Sequence, residues 1–114
     1  MKIATWNVNS LKVRLPHTLD WLAVNQPDAL CLQETKQEDS KFPLAELQQA
    51  GYQAVFSGQK TYNGVAIISK AVPEDVMYGM PNFPDEQRRV IAATLNGVRV
   101  VCIYVPNGQS VDSD

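Results

Sequence analysis

Residues 29–36 read ALCLQETK. Four apolar residues, Ala29 to Leu32, run unbroken into Gln33, Glu34, Thr35 and Lys36. A half-exposed strand would alternate, so this run reads as a strand buried on both faces. Its exit places a carboxylate between an amide and an ammonium. The first strand is built the same way: Lys2 to Val8 is followed at once by Asn9 and Ser10, with Asn7 already polar. A third apolar run, within Val98 to Val105, stops at Pro106, Asn107 and Gly108. Three apolar strands thus end in small polar clusters.

Working outward from 29–36, Lys12 to Leu15 reads as a basic loop. Pro16 suits the first turn of a helix, where its missing N–H is harmless. Leu19, Trp21, Leu22 and Val24 supply an apolar face, and Asn25-Gln26-Pro27 closes the helix. The start is therefore strand, helix, strand. Gln37 to Lys41 reads as a polar loop, and Pro43 to Ala50 as a second helix stopped by Gly51. Tyr52 to Ser57 and Gly64 to Ser69 read as strands, the second of them buried. Residues 71–87 are rich in Pro, Gly, Asp and Asn and read as an irregular connection with a short strand near Val76 to Tyr78. Arg89 to Leu95 and Val98 to Val105 flank Asn96-Gly97. Both residues of that pair tolerate positive φ, which predicts a type I′ hairpin. The polar tail SVDSD reads as frayed. The fold class is α/β, mostly strands with two early helices.

The 114 residues suit one small domain or part of a larger one. A last strand this apolar needs neighbours on both sides, so residues 1–114 read as the N-terminal portion of a single larger domain. Apolar residues make up 45 %, enough for a packed core, and charged residues only 19 %, which fits much buried strand. A net charge of −2 argues against a general basic coat for a polyanion and leaves a local basic rim open. No stretch approaches the length of a membrane span. Asn7, Asn9 and Ser10 interrupt the start, so no secretory signal is read there. Cys31 and Cys102 sit in apolar runs without metal-ligand spacing and read as reduced core thiols. The expected location is cytoplasmic.

Glu34 at a strand end is a suitable ligand for Mg²⁺, which takes oxygen donors and is often held by one or two carboxylates plus a substrate phosphate. Asn7 can add an amide that orients a ligand, a water or a carboxylate, and Asn9 can do likewise. If the first two strands are neighbours, these groups converge at one end of the sheet. The plainer reading makes Glu34 a solvated strand exit and the asparagines turn residues. The Tyr104 hydroxyl could donate to a phosphate oxygen, or be a core tyrosine. Lys12, Arg14, Lys36, Lys60 and Arg88 fall in predicted loops and could line a phosphate rim, or be scattered solubilising charges. Trp6 and Trp21 read as core. His17 reads as a surface or capping residue. No glycine-rich phosphate loop, nucleophile-elbow serine or zinc spacing is present.

Together, WNVNSLKVR, LCLQETK, YNGVAIISK, QRRVIAATL and YVPNG resemble, in order, the exodeoxyribonuclease III and abasic-site endonuclease family, part of the endonuclease/exonuclease/phosphatase superfamily. The likeness covers residue 1 to about 108 and is nearest the bacterial exonuclease III branch. It implies a four-layer α/β/β/α sandwich, of which this chain would be the first half. It implies Mg²⁺-dependent hydrolysis of DNA phosphodiesters, with Mn²⁺ as a substitute ion. The reactions would be incision 5′ to abasic sites, 3′–5′ exonuclease action and cleaning of blocked 3′ ends. By position Glu34 matches the metal-binding glutamate, and Asn7 the active-site asparagine of the first strand. Tyr104 matches the tyrosine at the scissile phosphate. Asn9, Lys36 and Arg14 fall where DNA contacts are expected.

The family's later motifs, an aspartate-x-asparagine cluster, a further aspartate and an aspartate-histidine pair, have no counterpart in these residues. The expectation is a chain that is inactive alone. Half a sandwich is also expected to expose the inner face of its sheet and so to self-associate or take up the missing half. The alternatives are a non-catalytic module that binds DNA or a partner chain, and a phosphodiesterase acting on RNA or a phosphorylated small molecule.

Overall fold

The computed structural model describes residues 2–36, 39–57, 64–78 and 90–104. The loop at 58–63 with Lys60, the later part of the irregular connection with Arg88, Asn107-Gly108 and the polar tail lie outside the described residues. Strand β1 (Ile3–Asn7) and strand β2 (Ala29–Gln33) lie side by side and parallel, with Asn7 in register with Gln33. Helix α1 (Leu11–Asn25) is the crossover between them. A 3₁₀ turn (Asp39–Lys41) and helix α2 (Leu44–Gln49) lead to β3 (Gln53–Ser57) and β4 (Val65–Ser69). These complete a four-stranded sheet of order β1-β2-β4-β3. Strands β5 (Glu74–Tyr78), β6 (Val90–Leu95) and β7 (Val98–Ile103) form a second, antiparallel sheet in that order.

The unbroken apolar runs of β2 and β4 follow from where these strands lie. Both are interior to the first sheet, and each of its faces is covered. Leu30, Leu32, Ala66 and Ile68 pack with Leu11, Leu22, Phe42 and Leu47 from the helical side. Ala29, Cys31, Val65 and Ile67 pack with Ile91, Ala93, Leu95, Val100 and Cys102 of the second sheet. The described residues therefore make three layers: helices, sheet, sheet. Each fully buried leucine or isoleucine contributes about 1.5–3 kcal/mol of transfer free energy. Truncation of Leu32, which sits at the centre of the first core, would remove about 2–5 kcal/mol.

The paired faces correct one expectation. The inner faces of the two sheets cover each other, and Val65, Ile67, Ile91 and Ala93 are fully buried. What stays open is different. Among the described residues β1 and β7 are each one edge of their sheet, and a groove of ≈ 480 Å³ lies between them. On the outer face of the second sheet, Met77, Val101 and Ile103 are exposed.

A second correction concerns α1. It begins at Leu11, so Lys12 to Leu15 are helical rather than a loop, and Pro16 is inside the helix. The start is fixed from outside. Ser10 N–H and Leu11 N–H donate to the carbonyls of Glu34 and Thr35 at 2.8 and 2.9 Å, and Arg14 N–H closes the first turn on Ser10. Leu11 is fully buried. Pro16 forfeits only the bond to the Lys12 carbonyl, and Lys12 is exposed to water. Trp6 and Trp21 are half-buried and flank the first core rather than fill it. His17 is exposed. The hairpin matches its prediction: Asn96 and Gly97 have φ of 49° and 80° between Leu95 and Val98, which are paired.

Candidate functional site at the ends of the parallel strands

Because β1 and β2 are parallel, both carboxyl ends open at the same edge of the sheet. The pairing continues past the strands. Val8 N–H donates to Gln33 O at 3.0 Å, and the Ser10 and Leu11 bonds to Glu34 and Thr35 follow. Thr35 N–H then donates to Gly64 O at 3.3 Å, which ties the exit of β2 to the start of β4. The backbone here is unusual. Asn9, Ser10, Glu34 and Lys36, with φ of 48°, 97°, 57° and 52°, are four of the seven non-glycine residues at positive φ among the described residues. Each such residue stores of order 1–3 kcal/mol, and strain of this kind concentrates at functional sites.

The strain redirects side chains. Strand alternation ends at Gln33, and Glu34 is turned out into a half-exposed position. Its carboxylate makes no side-chain hydrogen bond among the described residues. Asn7 Oδ1 accepts the Asn9 N–H at 3.1 Å, which closes a turn at the exit of β1. Lys36 Nζ donates to Asn9 Oδ1 at 2.6 Å. The parallel pairing thus sets the strand exits that carry Asn7, Asn9, Glu34 and Lys36 side by side. Arg14 lies on an exposed turn of α1, one turn beyond Ser10. Tyr104 directly follows β7, half-buried against the second core. It is two residues past Cys102, whose sulfur meets Gln33 Nε2 at 3.6 Å and Leu32 O at 3.3 Å.

Three further residues shape the site and escape sequence reasoning. Thr35 is buried, with 1 % exposure, directly beneath the cluster. Gly64 has φ of 97°, and a β-carbon there would overlap Thr35 Oγ1 and lie 3.2 Å from the Lys36 nitrogen. Only glycine fits. The signal was a glycine set directly before a buried strand. Gln33 Nε2 donates to Thr5 Oγ1 at 2.8 Å and spans the inner face of the sheet toward β7. An amide closing an apolar run was its signal.

Among the described residues no three His, Cys, Asp or Glu side chains come together to hold a metal ion. The donors at the strand ends are one carboxylate and two amide oxygens, each amide already accepting one bond. An all-oxygen set with a single carboxylate fits a hard cation that keeps most of its water, and fits neither zinc nor a soft metal.

Residues 4–112 match the endonuclease/exonuclease/phosphatase family. Exodeoxyribonuclease III of Haemophilus influenzae is 36 % identical over 116 residues, covering 96 % of this chain and 43 % of that protein. Among solved structures, the 3′ phosphatase NExo from Neisseria bound to a product DNA hairpin is 60 % identical with a TM-score of 0.94, over 98 % of this chain and 44 % of that one. An AP endonuclease from Archaeoglobus fulgidus is 49 % identical with a TM-score of 0.93, over 100 % of this chain and 44 % of that one. The chain spans less than half the length of these relatives.

Proposed function

Because the chain belongs to the endonuclease/exonuclease/phosphatase family, we propose that it serves a DNA repair nuclease of the exonuclease III type. The reaction is hydrolysis of DNA phosphodiesters, by incision at abasic sites and by removal of 3′ nucleotides and blocked 3′ ends. Glu34 holds Mg²⁺, or Mn²⁺ in its place, with Asn7 as the neighbouring oxygen donor. The ion supplies charge stabilisation at the phosphate. Tyr104 donates its hydroxyl to a phosphate oxygen. Lys36, Arg14 and Asn9 contact the DNA backbone. The working location is the cytoplasm, whose reducing conditions suit two unbridged thiols.

The observation that carries this reading is the Glu34 carboxylate, turned out by a left-handed backbone at the mouth of two parallel strands and left without a side-chain partner among the described residues. A carboxylate on a strained backbone, at strand ends that also carry a lysine–asparagine pair, suits a cation and a phosphate better than it suits packing. One observation favours a second reading. Among the described residues no group of three His, Cys, Asp or Glu side chains gathers at Glu34. The group that activates water lies outside them, and residues 1–114 on their own act as a DNA-binding module that does not cut.

A strand-incision assay decides between these. A duplex with one abasic-site analogue is given to the 114-residue chain with Mg²⁺ and with EDTA, beside Glu34→Gln. Cutting that needs metal and is lost in Glu34→Gln supports the nuclease reading for the chain itself. Mg²⁺-strengthened binding of the duplex without cutting supports the second. A folded chain that neither cuts nor binds the duplex overturns both.

A further inference from the structure

The second core holds two thiols that no step at the strand ends uses. Cys31 lies on β2 of the first sheet and Cys102 on β7 of the second, in one buried cluster. They face each other across the sandwich, and each thiol shifts the pKa of the other. Cys102 also directs its S–H at the Leu32 carbonyl at 3.3 Å. Both line the ≈ 480 Å³ groove between β1 and β7, together with Thr5 and Gln33. A small oxidant therefore has a route to them.

We propose that Cys31 and Cys102 are a modification site, a thiol pair that peroxide converts to a disulfide joining the two sheets. Among the described residues strand β7 is an edge, hydrogen-bonded only to β6. It can move toward β2 as the two sulfurs close to a bond of about 2 Å. Buried disulfides between packed sheets are an established way to join a sandwich.

The two thiols have different roles. Cys31 is the more accessible, at 5 % exposure against 1 % for Cys102. The neighbouring Cys102 thiol lowers the pKa of Cys31 from the ordinary thiol value, against the opposing effect of burial. The Cys31 thiol, then burial and the Cys31 charge, raise that of Cys102. Cys31 is thus the attacking sulfur. Its thiolate takes one oxygen from hydrogen peroxide, giving a sulfenic acid and releasing hydroxide. The Cys102 sulfur then attacks the sulfenic sulfur. The S–O bond breaks, the S–S bond forms, and the departing oxygen leaves as water with the Cys102 proton. Two thiols and one peroxide give one disulfide and two waters. The Cys102 sulfur also turns away from Gln33, which keeps its bond to Thr5.

The test is the intact mass of the folded 114-residue chain after hydrogen peroxide, with denaturing alkylation by iodoacetamide. The expected product is monomeric, lighter by about 2 Da, unalkylated, and restored by dithiothreitol. In Cys102→Ser a dimedone adduct accumulates at Cys31. In Cys31→Ser oxidation at residue 102 slows by at least about tenfold. Two alkylated thiols after peroxide, a bond between chains, or oxidation of Cys31 to the sulfinic acid with Cys102 still reduced would each overturn the proposal. The wild-type mass decides the matter even if a variant fails to fold.

Discussion

Lys36 Nζ meets Asn9 Oδ1 at 2.6 Å, so the residues after β1 and after β2 are joined by a side-chain bridge as well as by backbone bonds. Asn9 also holds φ of 48°. Asn9→Gly removes the bridge and relieves the backbone, and stability should change by less than about 0.5 kcal/mol. Asn9→Val removes the bridge and places a β-branched residue in the left-handed region, and should lose about 1–3 kcal/mol. Urea unfolding of both variants checks the order. Equal losses for glycine and valine would show that the bridge, which both remove, fixes this turn rather than the backbone.

Gly64 and Gly97 both sit at positive φ, yet only Gly64 is crowded, while Gly97 has open space around it. Gly97→Ala should lose about 1 kcal/mol from backbone strain alone. Gly64→Ala should lose at least about 2 kcal/mol, since Thr35 must also shift. Duplex binding should weaken with it, because Thr35 and Lys36 move together. Equal losses at the two sites would refute the crowding argument.

Tyr52 is buried, and its hydroxyl donates to Leu22 O at 3.4 Å. Burial, and then the Asp28 carboxylate, raise its pKa above the ordinary phenol value. Below about pH 10 the phenol is protonated in both folded and unfolded chains. Above it the unfolded chain ionises first, so stability falls as pH rises. Urea midpoints from pH 8 to 11 should show a steeper alkaline decline for wild type than for Tyr52→Phe. The thiols contribute equally to both and cancel in the comparison.

If Glu34 holds the cation, Mg²⁺ should raise the Tm of the wild-type chain and leave that of Glu34→Gln unchanged. At ten times Kd the stabilisation is roughly 1.4 kcal/mol. Mn²⁺ should act in the same way at lower concentration. An equal shift in both chains would place the ion elsewhere.

Met77, Val101 and Ile103 form an exposed apolar row on the second sheet, and beside it β7 is an edge among the described residues. Such surfaces associate. Sedimentation of the wild-type chain should show concentration-dependent self-association. Val101→Lys with Ile103→Lys should reduce it, and an unchanged profile would move the contact to the β1 side.

Most of the framework was legible because its signals are local. The Ala29–Leu32 run announced a strand covered on both faces, Asn96-Gly97 announced the hairpin, and Gly51 the end of α2. The start of α1 was not legible, because Pro16 suggested a helix N-terminus while the actual start is fixed by carbonyls at Glu34 and Thr35, far along the chain. The covering of the inner sheet faces was also hidden, since it depends on how β6 and β7 stack on β2 and β4. At the site, Glu34, Asn7, Asn9 and Lys36 could be grouped from two strand ends. The strained backbone that turns Glu34 outward, and the Thr35–Gly64 approach beneath it, needed the third dimension.

Strand β2 is a wall with a different room on each side. Leu30 and Leu32 face the helices, and Ala29 and Cys31 face the second sheet. Their assignment depends only on odd and even position. Gain or loss of one codon within the strand would therefore exchange the two sets of occupants, drive a thiol among the helices and reverse the residue that follows Gln33. Two-codon changes would keep the alternation. Natural length variation in this protein is thus expected in its connections and absent from this strand.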